Sequence, residues 1–311
     1  MTKFVRLLRT AGPFAVSAAV LVFLLAREDW REVAEKLSLD AAKILVPALL
    51  GFGALSLLIE ALSLVRLVPR SDTTLDVATA ARLKAASYLV GLINYLLGAG
   101  ALSVLLRRRA GLSLADAAGV VLLISAVDLG MLFLLAGLGT ALTASDNVAV
   151  QTGVVAGGIA ALVGGFVLMR VPGSLGPLER LRELALFRAV RSTSLVVLLE
   201  LGILRLAFVT SFMALGWVTL YAFSVRVPVA ELVVDFAVVS LVAILPIAFS
   251  GLGTGQAAFT YVFQEWASSE TLLAASLSLS FGLLLMRALI GLVFAREYTR
   301  EALAAAHEAD A

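Results

Sequence analysis

Residues 229–266 read VAELVVDFAVVSLVAILPIAFSGLGTGQAAFTYVFQEW. The stretch is apolar almost throughout, but Pro246 interrupts it, and Gly251, Gly253 and Gly255 follow within ten residues. Proline breaks a helix by removing a donor and clashing with the preceding turn. The alternating glycines allow a sharp reversal of the backbone. The arm from Thr254 to Trp266 has 13 residues, about 20 Å of helix. A bilayer core is about 30 Å thick. This arm is too short to cross, so the expected path enters the membrane, turns at the glycines and leaves by the side it entered. Irregular backbone at depth is tolerated only inside protein or along a wet cavity.

The rest of the chain makes the bilayer reading general. Of 311 residues, 61% are apolar and 15% charged, against about 45–50% and about 25% in soluble domains. The mean hydropathy is +1.03. Too little polar surface remains to cover such a chain in water, which excludes a soluble enzyme, a nucleic-acid module and a disordered protein. The formal charge of +2 does not argue for an acidic partner. There is no cysteine, and the one histidine, His307, lies in the polar tail 296–311. Thiolate chemistry, a histidine metal site and an intramembrane Ser-His-Asp triad are therefore excluded. No cofactor or metal is expected. Residues 1–311 read as a single integral membrane domain.

Apolar runs long enough to span are residues 7–26, 44–65, 114–138, 148–169, 195–221 and 271–295. The first follows a basic start (Lys3, Arg6, Arg9) but lacks a small-x-small cleavage site, so a retained span is expected. A second interrupted run, 85–106, contains Gly98-Ala99-Gly100 and is followed by Arg107, Arg108 and Arg109. Cations collect in cytoplasmic loops. With the N-terminus inside, Lys84 lies inside as well, and a full crossing would put the triple arginine outside. A hairpin with its tip at Gly98–Gly100 keeps it inside, beside the arginines of 170–191 and 296–300. The expected fold is all-α and polytopic: about six full spans plus two re-entrant helical hairpins. These form an inverted-topology repeat with halves at about 7–138 and 148–295. Such repeats, with broken helices meeting near the midplane, are a common transporter plan. Surface-lying helices are expected near 30–37 and 178–188. Gly153, Gly157, Ala161 and Gly165 form a small-xxx-small stripe suited to close helix packing, and Ser113 with Asp116 a helix N-cap.

Ionisable groups inside spans are costly and need a reason. Asp128 and Arg287 each lie about 15 residues into their helices. Paired, they would offset each other's desolvation; unpaired, Arg287 could hold a phosphate. Arg205, Glu200 and Glu60 are further candidates, with Arg66 one and a half turns below Glu60. At the tips, Gly98, Gly100, Gly251, Gly253 and Gly255 would let backbone N–H groups approach a ligand, with Pro246 breaking the preceding helix. The helix starting near Thr254 would aim its positive end at an anionic group, and Gln256 would add a neutral donor. Asn94 would satisfy backbone groups freed near the first tip.

The stretch Leu245-Pro246-Ile247-Ala248-Phe249-Ser250-Gly251-Leu252-Gly253-Thr254-Gly255-Gln256-Ala257 resembles the "lPis-GGlG-xREg" motif of the lysylphosphatidylglycerol synthase transmembrane family, the flippase-like membrane proteins. Residues 94–114, with the triple arginine and Gly111-Leu112-Ser113, resemble its earlier "NNllPgg-GD-vR…rr-gis" motif, and Asp128 matches the aspartate of "ldRllD". Leu97 stands where the family has proline, and Gly255-Gln256-Ala257 where it has Arg-Glu-Gly. The resemblance implies lipid translocation between leaflets, flippase-like or scramblase-like, by a stand-alone member without a synthetase domain. It implies a membrane lipid with an anionic or modified headgroup as substrate, a lipid-synthesis enzyme as a possible partner, and no nucleic acid. It also implies a bacterial inner membrane location, and the cation rule puts both termini on the cytoplasmic side. With no nucleotide-binding loop, the driving force would be a gradient, a partner or none. The alternatives are a secondary transporter of a small polar solute and a non-catalytic assembly subunit. A lipid-headgroup enzyme would need clustered acids or a metal site, and the chain shows neither.

Overall fold

The computed structural model describes residues 33, 35–68, 75–92, 95–142, 148–170, 183–184, 187–244 and 253–294. Helix is the regular structure throughout, and no strand occurs among the described residues. In chain order the helices are α1 (Leu39–Leu67), α2 (Val77–Gly91), α3 (Tyr95–Ala110), α4 (Leu114–Leu142), α5 (Val148–Arg170), α6 (Arg188–Ser192), α7 (Leu195–Ala222), α8 (Val229–Ile244), α9 (Thr254–Val262) and α10 (Ser269–Phe294). Four of them, α1, α4, α7 and α10, are long and apolar enough to cross a membrane. They correspond to four of the six expected spans. A fifth, 148–169, is helical in α5, whose apolar stretch is Val155–Val167. Residues 7–26, both termini and most of the expected surface helices lie outside the described residues.

The chain divides into two compact units, and the divisions fall inside the long helices. One unit is Met1–Phe52, Leu135–Thr152 and Phe212–Met286; the other is Gly53–Leu134, Gly153–Ser211 and Arg287–Ala311.

The second of these units contains the helical pair α2–α3. Asp76 starts α2 by accepting the Thr79 N–H at 2.7 Å and the Thr79 hydroxyl at 2.9 Å, satisfying a donor that the first turn leaves unpaired. α2 ends at Gly91 with a turn at Leu92, not at Gly98–Gly100: both glycines lie inside α3. Gly98 is there for packing. A Cβ on it would stand 2.7 Å from the Gly91 Cα and 3.2 Å from the Ser87 carbonyl oxygen, so the two backbones touch where α2 and α3 meet. Gly100 faces open space. Leu83, Leu102, Leu105 and Leu106 bury the pair against Leu64 of α1 and Leu123 of α4. α3 ends after its three arginines at Gly111, whose φ of 67° suits a C-terminal glycine. Ser113 then caps α4, accepting the Asp116 N–H at 3.1 Å and donating to its carboxylate at 2.7 Å. Within the small-residue stripe of α5, Gly153, Gly157 and Gly165 meet no other group. The close contact falls instead at Gly158, where a Cβ would stand 2.5 Å from the Phe133 ring of α4.

In the other unit, α8 and α9 pack on each other around a run of aromatic rings. Phe52 and Phe212 lie 5.7 Å apart, Phe212 and Phe236 5.3 Å, Phe236 and Phe259 6.4 Å, and Phe259 and Phe263 4.8 Å. Gly216 admits Phe236, whose ring would be 2.2 Å from an added Cβ. Pro246 and Gly251 lie outside the described residues. Gly253 has φ 90°, a conformation that favours glycine.

Two predictions follow from the α2–α3 pair. Gly98→Ala should destabilise the protein by about 1–3 kcal/mol, the usual cost of overpacking a tight contact, whereas Gly100→Ala should be neutral or stabilising. Thermal unfolding in detergent reads both; equal effects would refute the close approach. Separately, the bonds from Thr79 hold the Asp76 carboxyl below the ordinary carboxylate range. A depressed folded pKa contributes stability above the unfolded value, and that contribution disappears as pH falls through the folded one. Amide exchange at Thr79 should therefore accelerate in acid beyond the intrinsic pH trend, and Asp76→Asn should remove the pH dependence.

Candidate functional site: a buried charge network

Four helices of one unit each place a charged side chain among apolar neighbours. They are Glu60 of α1, Lys84 of α2, Asp128 of α4 and Arg205 of α7. Arg205 has no solvent exposure at all. Its Nε donates to Asp128 Oδ1 at 2.5 Å and its Nη2 to Asp128 Oδ2 at 2.8 Å, the two-pronged geometry that a guanidinium offers a carboxylate. Nη2 also reaches Glu60 Oε1 at 3.4 Å. Lys84 Nζ lies 3.1 Å from Glu60 Oε2. The Phe208 ring, three residues along α7, lies 4.2 Å from the Arg205 guanidinium carbon, a favourable place for a cation. Two acids thus face two bases across three spans and the hairpin helix α2.

A buried ion pair recovers its desolvation only when geometry is good and the remaining polar atoms are satisfied. Here the satisfaction is incomplete. Arg205 Nη1 is buried without a hydrogen-bond partner. Asp128 retains 23% exposure of its side chain and Lys84 18%, so the network is sealed at Arg205 and accessible at these two ends. Arg287 of α10 joins it through an aromatic ring: its guanidinium carbon lies 5.9 Å from the centre of Tyr88 in α2, and Lys84 Nζ 5.6 Å from the same centre. At Gly291, one turn beyond Arg287, an added Cβ would meet Leu89 at 2.5 Å. That glycine lets α10 lie close against α2.

The structure thus brings Asp128, Arg205 and Glu60 together. The partner of Asp128 is Arg205, not Arg287. Glu200 pairs with Arg66 at 3.4 Å on the partly exposed surface, so Arg66 serves Glu200 instead of Glu60. Gln256, buried in the other unit, spends its amide within the protein. Its oxygen accepts the Gly253 N–H at 2.6 Å and its nitrogen donates to Ser280 at 2.9 Å, which anchors the start of α9 to α10. At Gly255 an added Cβ would meet only Ala243, at 3.9 Å. Asn94, like Pro246 and Gly251, lies outside the described residues. Two members, Lys84 and Tyr88, escape a reading that takes Lys84 as a loop cation. The signal was present: they stand four apart, on one face of the helix with Ala80. Among the described residues no group of three or more His, Cys, Asp or Glu is placed to hold a metal.

Comparison with protein-family models, with characterised proteins and with solved structures finds no match. The functional reading therefore stands on this chain's own residues.

The network predicts strong coupling. Replacing Arg205 by methionine strands Asp128, takes one of its two cations from Glu60, and should cost about 3–5 kcal/mol. A double-mutant cycle of Asp128→Asn and Arg205→Gln, followed by unfolding in detergent, should give an interaction energy of about 1–3 kcal/mol. Strictly additive single effects would dissolve the pair.

Proposed function

We propose that the protein moves a lipid with a polar headgroup between the leaflets of a bilayer, without chemical conversion of it. The observation that carries the reading is the charge network. Charges buried among apolar helices are retained at a cost, and this set joins three spans to a hairpin with two ends still accessible. A purely structural lock would be served as well by apolar packing. A polar route through the hydrocarbon would need such groups, with the acyl chains left in the lipid.

The division of the chain supports the mirrored threading on which the route depends. It falls within each long helix, at Phe52/Gly53, Leu134/Leu135, Thr152/Gly153, Ser211/Phe212 and Met286/Arg287, while α2–α3 and α8–α9 each stay within a single unit. The charges agree. The cation rule puts Arg66, Arg82, Arg107, Arg108, Arg109, Arg170, Arg188 and Arg191 on the cytoplasmic side. In this reading both termini are cytoplasmic, and the membrane is the inner membrane of a bacterium, as in the flippase-like family that residues 245–257 resemble.

The test is leaflet exchange. The purified chain in liposomes carrying fluorescent lipids should make inner-leaflet label accessible to an external quencher faster than protein-free liposomes do. Folded Arg205→Gln protein should be slower than wild type. Absence of exchange for every headgroup class, with a proton gradient imposed in either direction, would overturn the proposal. Uptake of a water-soluble solute in its place would favour a solute transporter.

A further inference from the structure

Within the buried network and its neighbour Arg287, charge does not balance. Glu60 and Asp128 are matched by Lys84 and Arg205, and Arg287 is left over. Among the described residues no carboxylate pairs with Arg287; its recorded contact is the face of Tyr88. Lys84 lies over the same ring, and Lys84, Glu60, Arg287 and Arg205 all lie near enough to act electrostatically on the Tyr88 hydroxyl. In a low dielectric a surplus cation is far from neutral, and a ring face compensates it less than an anion does. A second cationic group is also incomplete: Arg205 Nη1 is buried and unpartnered.

From this imbalance we infer that Arg287, with Tyr88 and Lys84, forms an anion site that takes the phosphate of the headgroup. The inference rests on the translocation reading for its lipid, but the site itself does not. A guanidinium matches two oxygens of a phosphate in one plane, and an ammonium supplies a compact second charge beside it. Tyr88 adds a hydroxyl and holds both cations near one ring. Binding a monoanion would bring the cluster to neutrality, with three acidic charges against three basic ones. The Gly291 contact holds α10 against α2, so the two helices that carry the site are fixed to each other. The alternative for Arg287, an interhelical ion pair, is met by no described acid. Asp128, the acid placed at similar depth in its own helix, is already engaged by both prongs of Arg205.

The test compares two lipids that differ by the phosphate alone. Native mass spectrometry of the full chain in detergent should show phosphatidic acid retained in preference to diacylglycerol of the same chains. Arg287→Gln should weaken that retention about tenfold or more, the scale of losing a charged hydrogen-bonding partner, and Arg287→Lys should restore part of it. Equal retention of the two lipids by the wild-type chain would overturn the inference even if Arg287→Gln fails to fold. So would an unchanged preference in folded Arg287→Gln. Displacement of phosphatidic acid by inorganic phosphate would confirm that phosphate is the recognised part. Binding of inorganic phosphate alone, with neither lipid retained, would keep the anion site and sink the lipid reading. Leaflet exchange of uncharged lipids by a chain that ignores phosphatidic acid would do the reverse.

Discussion

Arg205 is fully buried in an apolar helix, and much of its surroundings follows from that one fact. A guanidinium does not shed its proton to escape burial, so the helices around it must supply charge. Asp128 does so through two hydrogen bonds and Glu60 through a longer contact. Phe208, on Arg205's own helix, covers the guanidinium. Lys84 in turn balances Glu60. The order of dependence runs from Arg205 outward: remove Lys84 and Glu60 loses one of two cations; remove Arg205 and Asp128 loses its partner while Glu60 keeps Lys84.

The second constraint is distance. Side chains of four helices reach a common cluster only if the helices pack tightly, and lipid gives no hydrophobic drive for that. Close packing of small residues must provide it. Gly98 on Gly91, Gly291 on Leu89 and Gly158 on Phe133 are close contacts in this unit that a methyl group would crowd, and Gly216 on Phe236 and Gly282 on Leu49 are others in the second unit. Glycine is a poor helix former in water. Each of these positions accepts that weakness in return for contact that a methyl group would block.

Legibility in the sequence tracked which physical quantity was at stake. Span length and hydropathy are one-dimensional, and the four apolar helices that meet the bilayer requirement fall on the segments where composition puts them. The small residues were harder. Gly98-Ala99-Gly100 reads equally as a turn or as a packing notch, and only the opposed Gly91, seven residues earlier, favours the notch. The stripe Gly153–Gly157–Gly165 has the right period, but the contact chose Gly158. Pairing was the least legible. Similar depth suggested Asp128 with Arg287, but partners are set by which faces of two helices meet, and that depends on crossing and rotation rather than on position along a helix. Lys84 was hidden for a related reason: beside Arg82 it looks like part of a basic loop, while its helix carries it inward to Glu60.

The two ion pairs fasten different parts, and that difference bears on how such a structure would move. Arg205–Asp128 ties α7 to α4 through two short, charge-assisted bonds at a site without solvent at the guanidinium. Glu60–Lys84 ties α1 to the hairpin helix α2 through a single longer contact with an accessible ammonium. Opening the first exposes a forked cation and a carboxylate to hydrocarbon. Opening the second moves a flexible side chain that is already partly exposed, and leaves Glu60 still beside Arg205. The second separation costs less, because the long lysine stem lets its charge swing outward from a partly exposed position, while Arg205 is fully buried. Separating α2 from α1 is therefore cheaper than separating α7 from α4, and the close contact of Gly291 with Leu89 keeps Arg287 of α10 beside Tyr88 of α2.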